Sequence, residues 1–218
     1  MLERWDRFAP LTGVWTVVLW FLSVVVLETL GDTPDEGSPE EVLEYFESDE
    51  VSIYVGAILF LVGSMILIWW SSALRAAILN AGGVGERLGS IAYGAGIATA
   101  ILGVSTIVPQ ISGAFGANES DAGLSPEAAQ ALWIAGDGFF VATAFAAALL
   151  LVTTAIAILY TRFLPTWLAW ASFVVAAVLV VPPIGWAALI FGVPIWILLV
   201  SYLLWRRPAP VAPPPRSV

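Results

Sequence analysis

The 218-residue chain contains no cysteine, no histidine and no lysine. Without imidazole or thiolate there is no axial haem ligand, no iron–sulfur cluster, no His/Cys metal centre, no thiol nucleophile and no Ser/His/Asp triad. Without a lysine amine no retinal or pyridoxal Schiff base can form, which excludes a rhodopsin-type pigment. No disulfide is possible, so the redox compartment is not legible from cysteine usage. Charge is scarce as well: 11% of residues are Asp, Glu, Lys or Arg, against 60% hydrophobic. The mean hydropathy is +0.92. A soluble domain needs more polar cover than this, so lipid is the expected solvent for most of the chain.

Long apolar runs supply the rest of the fold class. A hydrocarbon core of about 30 Å needs about 20 apolar residues as a helix, and only helices or closed barrels satisfy their backbone groups there. The spacing predicts an all-α polytopic membrane domain over residues 1–207, with six spans at about 11–30, 51–74, 88–113, 139–160, 165–181 and 186–205. The first run is 20 residues long and ends Leu27-Glu28-Thr29-Leu30, without a small-x-small cleavage site, so it reads as an uncleaved anchor rather than a signal peptide. Residues 208–218 hold five prolines and are expected to form a disordered tail.

One plan is written twice. Ser38-Pro39-Glu40 opens an acidic segment that leads through Glu50 into an apolar run stopped by Arg75; Ser125-Pro126-Glu127, Asp137 and Arg162 repeat it at a constant offset of 87 residues. In the first copy Ser38 suits an N-cap, Pro39 the first helical position, and Glu40 and Glu41 the positive end of the helix dipole. The pattern puts Glu40, Glu41, Glu44 and Glu47 on one face and Val42, Leu43, Tyr45 and Phe46 on the other, a short amphipathic helix expected to lie on the outer interface, apolar face down. A solvated loop is the plainer reading. The repeat predicts a second such helix over 126–135, with a break at Gly136-Asp137-Gly138.

Six crossings place all eight arginines (Arg4, Arg7, Arg75, Arg87, Arg162, Arg206, Arg207 and Arg216) on one side. Glu28, the nine acids of 31–50, Glu119, Asp121, Glu127 and Asp137 fall on the other. The positive-inside rule then puts both termini in the cytoplasm of a cell with this protein in its inner (plasma) membrane. Membrane lipids are the expected partners, with a larger membrane complex as a second possibility. Nucleic acid is not an expected partner, since so few arginines sit only at span ends.

Candidate site residues follow from what a bilayer penalises. Asp137 beside an apolar run has two readings: a proton- or ion-handling group, or the N-terminal cap of its span, as its repeat partner Glu50 suggests. Glu28, Glu50, Gln110 and Asp137 are all expected near the outer leaflet, where they could ring one polar mouth, and Pro109 beside Gln110 could kink the third span. Gly96 and Ala100 have the small-xxx-small spacing that lets helices approach closely. Trp5, Trp69-Trp70, Trp133, Trp167, Trp170, Trp186 and Trp205 fit an interfacial belt. Trp15, Trp20 and Trp196 lie deeper and either pack or contact a flat lipophilic ligand such as a quinone, carotenoid or sterol-like lipid. Gly82-Gly83-Val84-Gly85 lacks the Lys-Ser/Thr and preceding strand of a phosphate loop.

Gly31-Asp32-Thr33-Pro34-Asp35, the acidic helix after it, and Arg162-Phe163-Leu164-Pro165-Thr166-Trp167-Leu168-Ala169-Trp170 resemble a family of uncharacterised bacterial integral membrane proteins with a domain of unknown function. The resemblance covers most of residues 11–205 and implies the six-helix architecture without an activity. Scarcity of buried charge favours a non-enzymatic role, as an accessory subunit or a binder of a lipophilic molecule. Parallel duplicated hairpins and an acidic mouth motivate small-solute or ion transport as the rival. An enzyme acting on lipid, limited to carboxylates, amides and hydroxyls, is the third class.

Overall fold

A computed structural model describes residues 8–31, 33–34, 38–83, 85–121 and 123–206. The expected tail and the Arg4/Arg7 pair lie outside them. The described residues form helices joined by short turns, without a strand. A single 3-10 turn, Ala9–Leu11, leads into α1 (Thr12–Leu30), with the Thr12 hydroxyl donating to the Ala9 carbonyl at 2.6 Å. Helix α2 (Pro39–Ser48) starts on a capping box: Ser38 Oγ accepts from the Glu41 N–H at 3.3 Å, and Glu41 Oε2 accepts from the Ser38 N–H at 2.9 Å. Helix α3 (Glu50–Asn80) follows after Asp49 alone. Gly82 and Gly83, at φ of 77° and 65°, make the left-handed turn that reverses the chain into α4 (Gly85–Asn118).

Ser125 caps α5 (Pro126–Thr161) by accepting from the Ala128 N–H. Arg162 ends that helix in the left-handed conformation, and Pro165 forces the following chain to restart as α6 (Thr166–Leu179). Pro182 then opens α7 (Pro182–Ala187), which runs through a π-helical segment, Ala188–Gly192, into α8 (Val193–Trp205).

Neighbouring helices run antiparallel. Trp20 meets Ser64 while Leu27 meets Gly56; Ser71 meets Gly96 while Ile78 meets Gly85. Gly103 faces Thr143 while Gly136 faces Thr106, and Ser172 meets Trp196 while Gly192 meets Val175. The chain therefore passes along the bundle six times. Five of the passes (Ala9–Leu30, α3, α4, α5 and Ile184–Trp205) are long and apolar enough to cross a membrane, the architecture of a multi-pass membrane protein. The remaining pass, α6, has 14 residues and is about 21 Å long at the usual rise. Helix α5 is the most enclosed; its buried Ala144, Ala147, Ala148, Ala155 and Ala157 let neighbours approach closely.

Two indoles close the centre. Trp70 and Trp196 are buried and pack edge to face, centroids 5.8 Å apart at 76°. Each N–H has an acceptor: Trp70 Nε1 donates to Ser201 Oγ at 2.9 Å and Trp196 Nε1 to Ser172 Oγ at 2.8 Å. Gly13 completes the clasp, since an added Cβ would lie 2.6 Å from the Trp70 ring. Helices α1, α3, α6 and α8 are thereby tied together.

Four expectations change. Trp70 is not an interfacial anchor: it is fully buried, while its neighbour Trp69 is 63% exposed, because adjacent helical residues point about 100° apart. The second amphipathic helix is not separate, since residues 126–135 and 139–160 belong to one continuous α5 of 36 residues. Gly136 and Gly138 carry helix because each costs only about 1 kcal/mol there. Asp137 accordingly caps nothing. Nor does Arg75 end its helix; α3 continues to Asn80.

Trp70→Phe is expected to lower stability by about 1–2 kcal/mol through loss of the buried bond to Ser201. In thermal melts of the purified protein, the W70F/S201A double variant should be little worse than the worse single variant, the mark of a shared interaction.

Candidate functional site

The end of the bundle opposite the described arginines carries every described acid except Glu86, and α2 roofs it. The hydrophobic face of α2 is spent on protein rather than on lipid: Val42, Tyr45 and Phe46 are buried against Ile53, Ala114 and Ala129. The Phe46 ring fills the space over Gly113, where an added Cβ would stand 2.5 Å from Phe46 Cζ. Asn118 Nδ2 donates to the Phe46 carbonyl at 2.8 Å and to the Ala114 carbonyl at 3.1 Å, satisfying one of the orphan carbonyls at the end of α2. Glu40, Glu41, Glu44 and Glu47 all face outward and are exposed, as their spacing predicts.

Tyr45 joins this roof to the helix ends around it. Its ring meets Trp133 of α5 edge-on at 5.8 Å, and its phenol bonds Thr33, whose own hydroxyl donates to the Leu27 carbonyl at 3.2 Å. Burial pushes the phenol up to about 12; the charges of Asp49 and Glu28 add to the rise and the Thr33 bond opposes it.

The four singled-out polar residues occupy this same end, in different settings. Glu28 is exposed on the last turn of α1 and close enough to act on Tyr45. Glu50 is half-buried in the first turn of α3, near Tyr54 of the same helix. Asp137 is exposed in the first half of α5. Gln110 is half-buried in α4, next to the buried Pro109, and its Oε1 is enclosed without a hydrogen-bond partner.

The three deeper tryptophans also divide. Trp15 is 62% exposed on the outside of α1, whereas Trp20 stacks on Phe60 at 5.7 Å and donates to Ser64 Oγ at 3.2 Å, and Trp196 belongs to the central clasp. Sequence reasoning missed Asn118 and the serines Ser64, Ser172 and Ser201. The signal that could have found the serines is the need of every indole N–H in a lipid-surrounded core for an acceptor on a facing helix.

Two depressions open on the surface. One, of about 590 Å³, is lined by Gly83, Glu86, Arg87, Leu88, Ser90, Ile156 and Tyr160 at the arginine-bearing end. The other, of about 190 Å³, is lined by Leu30, Ser48, Asp49, Val51, Ser52 and Val55 beside the α2–α3 joint. No cluster of three acidic side chains that could hold a metal ion occurs among the described residues. No protein-family model, curated protein or solved structure matches the chain.

Because the folded state favours the neutral phenol, the contribution of Tyr45 is fully present below pH 10 and lost as pH rises through about 12. The protection of amides over residues 38–50, taken relative to the intrinsic base-catalysed exchange rate, should fall across that window. Tyr45→Phe, which removes the titrating group, should abolish this fall in protection while keeping the ring contact with Trp133.

Proposed function

We propose that this is a non-enzymatic integral membrane protein that binds a lipophilic molecule or serves as an accessory subunit of a membrane complex. The observation that carries the reading is the filled centre: Trp70 and Trp196 occupy the middle of the bundle with both N–H groups satisfied, and the acids of α2 turn away from it. An interior closed by paired indoles suits a scaffold that meets partners or lipids on its outer surface. A solute pathway would need polar groups lining a continuous interior route.

In this reading the protein belongs to the bacterial family that its turn and interface motifs resemble, and all six passes cross the inner membrane with both termini in the cytoplasm. Arg75, Arg87, Arg162 and Arg206 share one end of the antiparallel bundle, which supports that orientation. Helix α6 makes the fifth crossing despite its length, with Trp167 and Trp170, both exposed, as interfacial anchors. Transport remains the second reading, favoured by the unpartnered Gln110 oxygen at the acidic end.

The absence of native cysteine makes labelling direct. Single cysteines at Ser120 and Val181 should react with an impermeant maleimide from outside the cell, and cysteines at Ala81 and Thr161 only after permeabilisation. Labelling of Thr161→Cys and Val181→Cys from the same side would remove the α6 crossing. In proteoliposomes, Asp137→Asn should leave proton and cation flux at the level of empty vesicles, as for the unaltered protein; flux in the unaltered protein that this substitution abolishes would establish transport instead.

A further inference from the structure

The larger depression, of about 590 Å³, lies outside the closed centre, in the seam where α4 begins and α5 ends. Antiparallel packing sets its walls. Counting back from the contact of Gly103 with Thr143 brings Ser90 level with Ile156 and Glu86 level with Tyr160, and all four line the depression. Leu88 and Ile156 give it apolar wall, whereas the Arg87 guanidinium and the Tyr160 phenol bring hydrogen-bond donors. The Ser90 hydroxyl already donates to the Glu86 carbonyl at 2.9 Å. Tyr160 is 73% exposed, so its ring forms a rim and leaves the depression open.

The arginines at this end are not equivalent. Arg206 lies over the Tyr202 ring at 5.4 Å, Arg162 closes α5, and the stem of Arg75 lies 3.5 Å from where a Cβ on Gly89 would stand. Of the four described arginines it is Arg87 that lines the depression, exposed and without an ion-pair partner among the described residues. The single described acid at this end is Glu86, in the first turn of α4, where the helix dipole favours a carboxylate. Four arginines against one carboxylate leave this end electropositive. Inward of the polar rim the seam turns apolar. Ile91 and Gly94 follow Arg87 along one exposed stripe of α4, and a Cβ on Gly94 would meet nothing within 4 Å. From Arg87 to Gly94 is about 10 Å at the helical rise. A cation and a phenol above an open apolar furrow have the layout of an amphiphile with a negative head.

We infer that this depression seats an anionic phospholipid, its phosphodiester accepting from the Arg87 guanidinium and the Tyr160 hydroxyl while an acyl chain lies along Ile91 and Gly94. The inference gives the lipophilic-binding reading a place and a lipid class, and rests on it. A guanidinium fork matches the oxygens of a phosphate, and a headgroup with net negative charge, rather than a zwitterionic one, complements the positive end of the bundle.

Native mass spectrometry of the full chain in mild detergent, titrated with phosphatidylglycerol or with phosphatidylcholine of matched acyl chains, tests the assignment. The first phosphatidylglycerol should bind about fivefold more tightly, the ratio that one arginine beside an anionic head supplies. R87Q, a change on the exposed surface, should bring that ratio to one, whereas R206Q, at the same end but outside the depression, should leave it unchanged. E86Q removes the like charge and should raise it. G94F, which sets a ring in the open furrow, should weaken the binding of both lipids. Excess inorganic phosphate should not displace the bound lipid. Equal binding of the two lipids by the unaltered protein, a preference that survives R87Q or falls as far in R206Q, a ratio lowered by E86Q, binding unchanged in G94F, or displacement by phosphate overturns the proposal. A retained phospholipid without headgroup preference removes this site alone, and no retained lipid removes the lipophilic-binding reading as well.

Discussion

Every pass of this bundle must dispose of its polar groups without water, and the pairing of indole with hydroxyl at its centre is where that constraint shapes the tertiary structure. Trp70 and Trp196 bring large apolar surface to the core, but each carries an N–H whose burial without an acceptor would be costly. Ser201 and Ser172 meet those needs from facing helices, at 2.9 and 2.8 Å. The two bonds link α3 to α8 and α8 to α6, and Gly13 lets α1 close over the pair. Ser23 and Ser64 likewise bond between α1 and α3, while Ser71, Thr99, Thr143 and Thr154 turn inward on their own helices and donate to the carbonyl four residues back. The serines that do cross between helices therefore set which helices are neighbours.

The two copies of the repeat show how similar local patterns reach different structures. Both open on a serine cap followed by proline, and both caps form as that chemistry dictates. In the first copy the helix breaks at Asp49, and α2 folds over the bundle with Phe46 seated on Gly113. In the second copy the helix continues through Gly136-Asp137-Gly138, with α4 directly alongside and its backbone close to Gly136. The break in the first copy follows its local pattern, whereas the continuity in the second is a tertiary outcome, since its glycines alone favour a break.

Of the candidate site, the sequence made legible that Glu28, Glu50, Gln110 and Asp137 belong to one end of the molecule. It did not make legible their settings. Asp137 looked like a cap because glycines flank it, yet it sits exposed in mid-helix. Gln110 drew notice only as an amide near a proline, whereas packing left its oxygen enclosed and unpaired. Whether a polar group is buried depends on the rotation of its helix about its own axis, and in these helices hydrophobicity is too uniform around the circumference to reveal that rotation.

Composition alone therefore determined that this chain is helical and suited to lipid, since long apolar runs leave the backbone no other way to satisfy its hydrogen bonds. Capping chemistry determined where α2 begins, and the arginine spacing determined that Arg75, Arg87, Arg162 and Arg206 collect at one end. Only the tertiary structure decided that Trp70 is core while Trp69 is surface, that α2 covers protein rather than lipid, and that Gln110 lacks a donor. Those outcomes depend on which face of each helix meets a neighbour, and that choice is made by close packing between segments far apart in the chain.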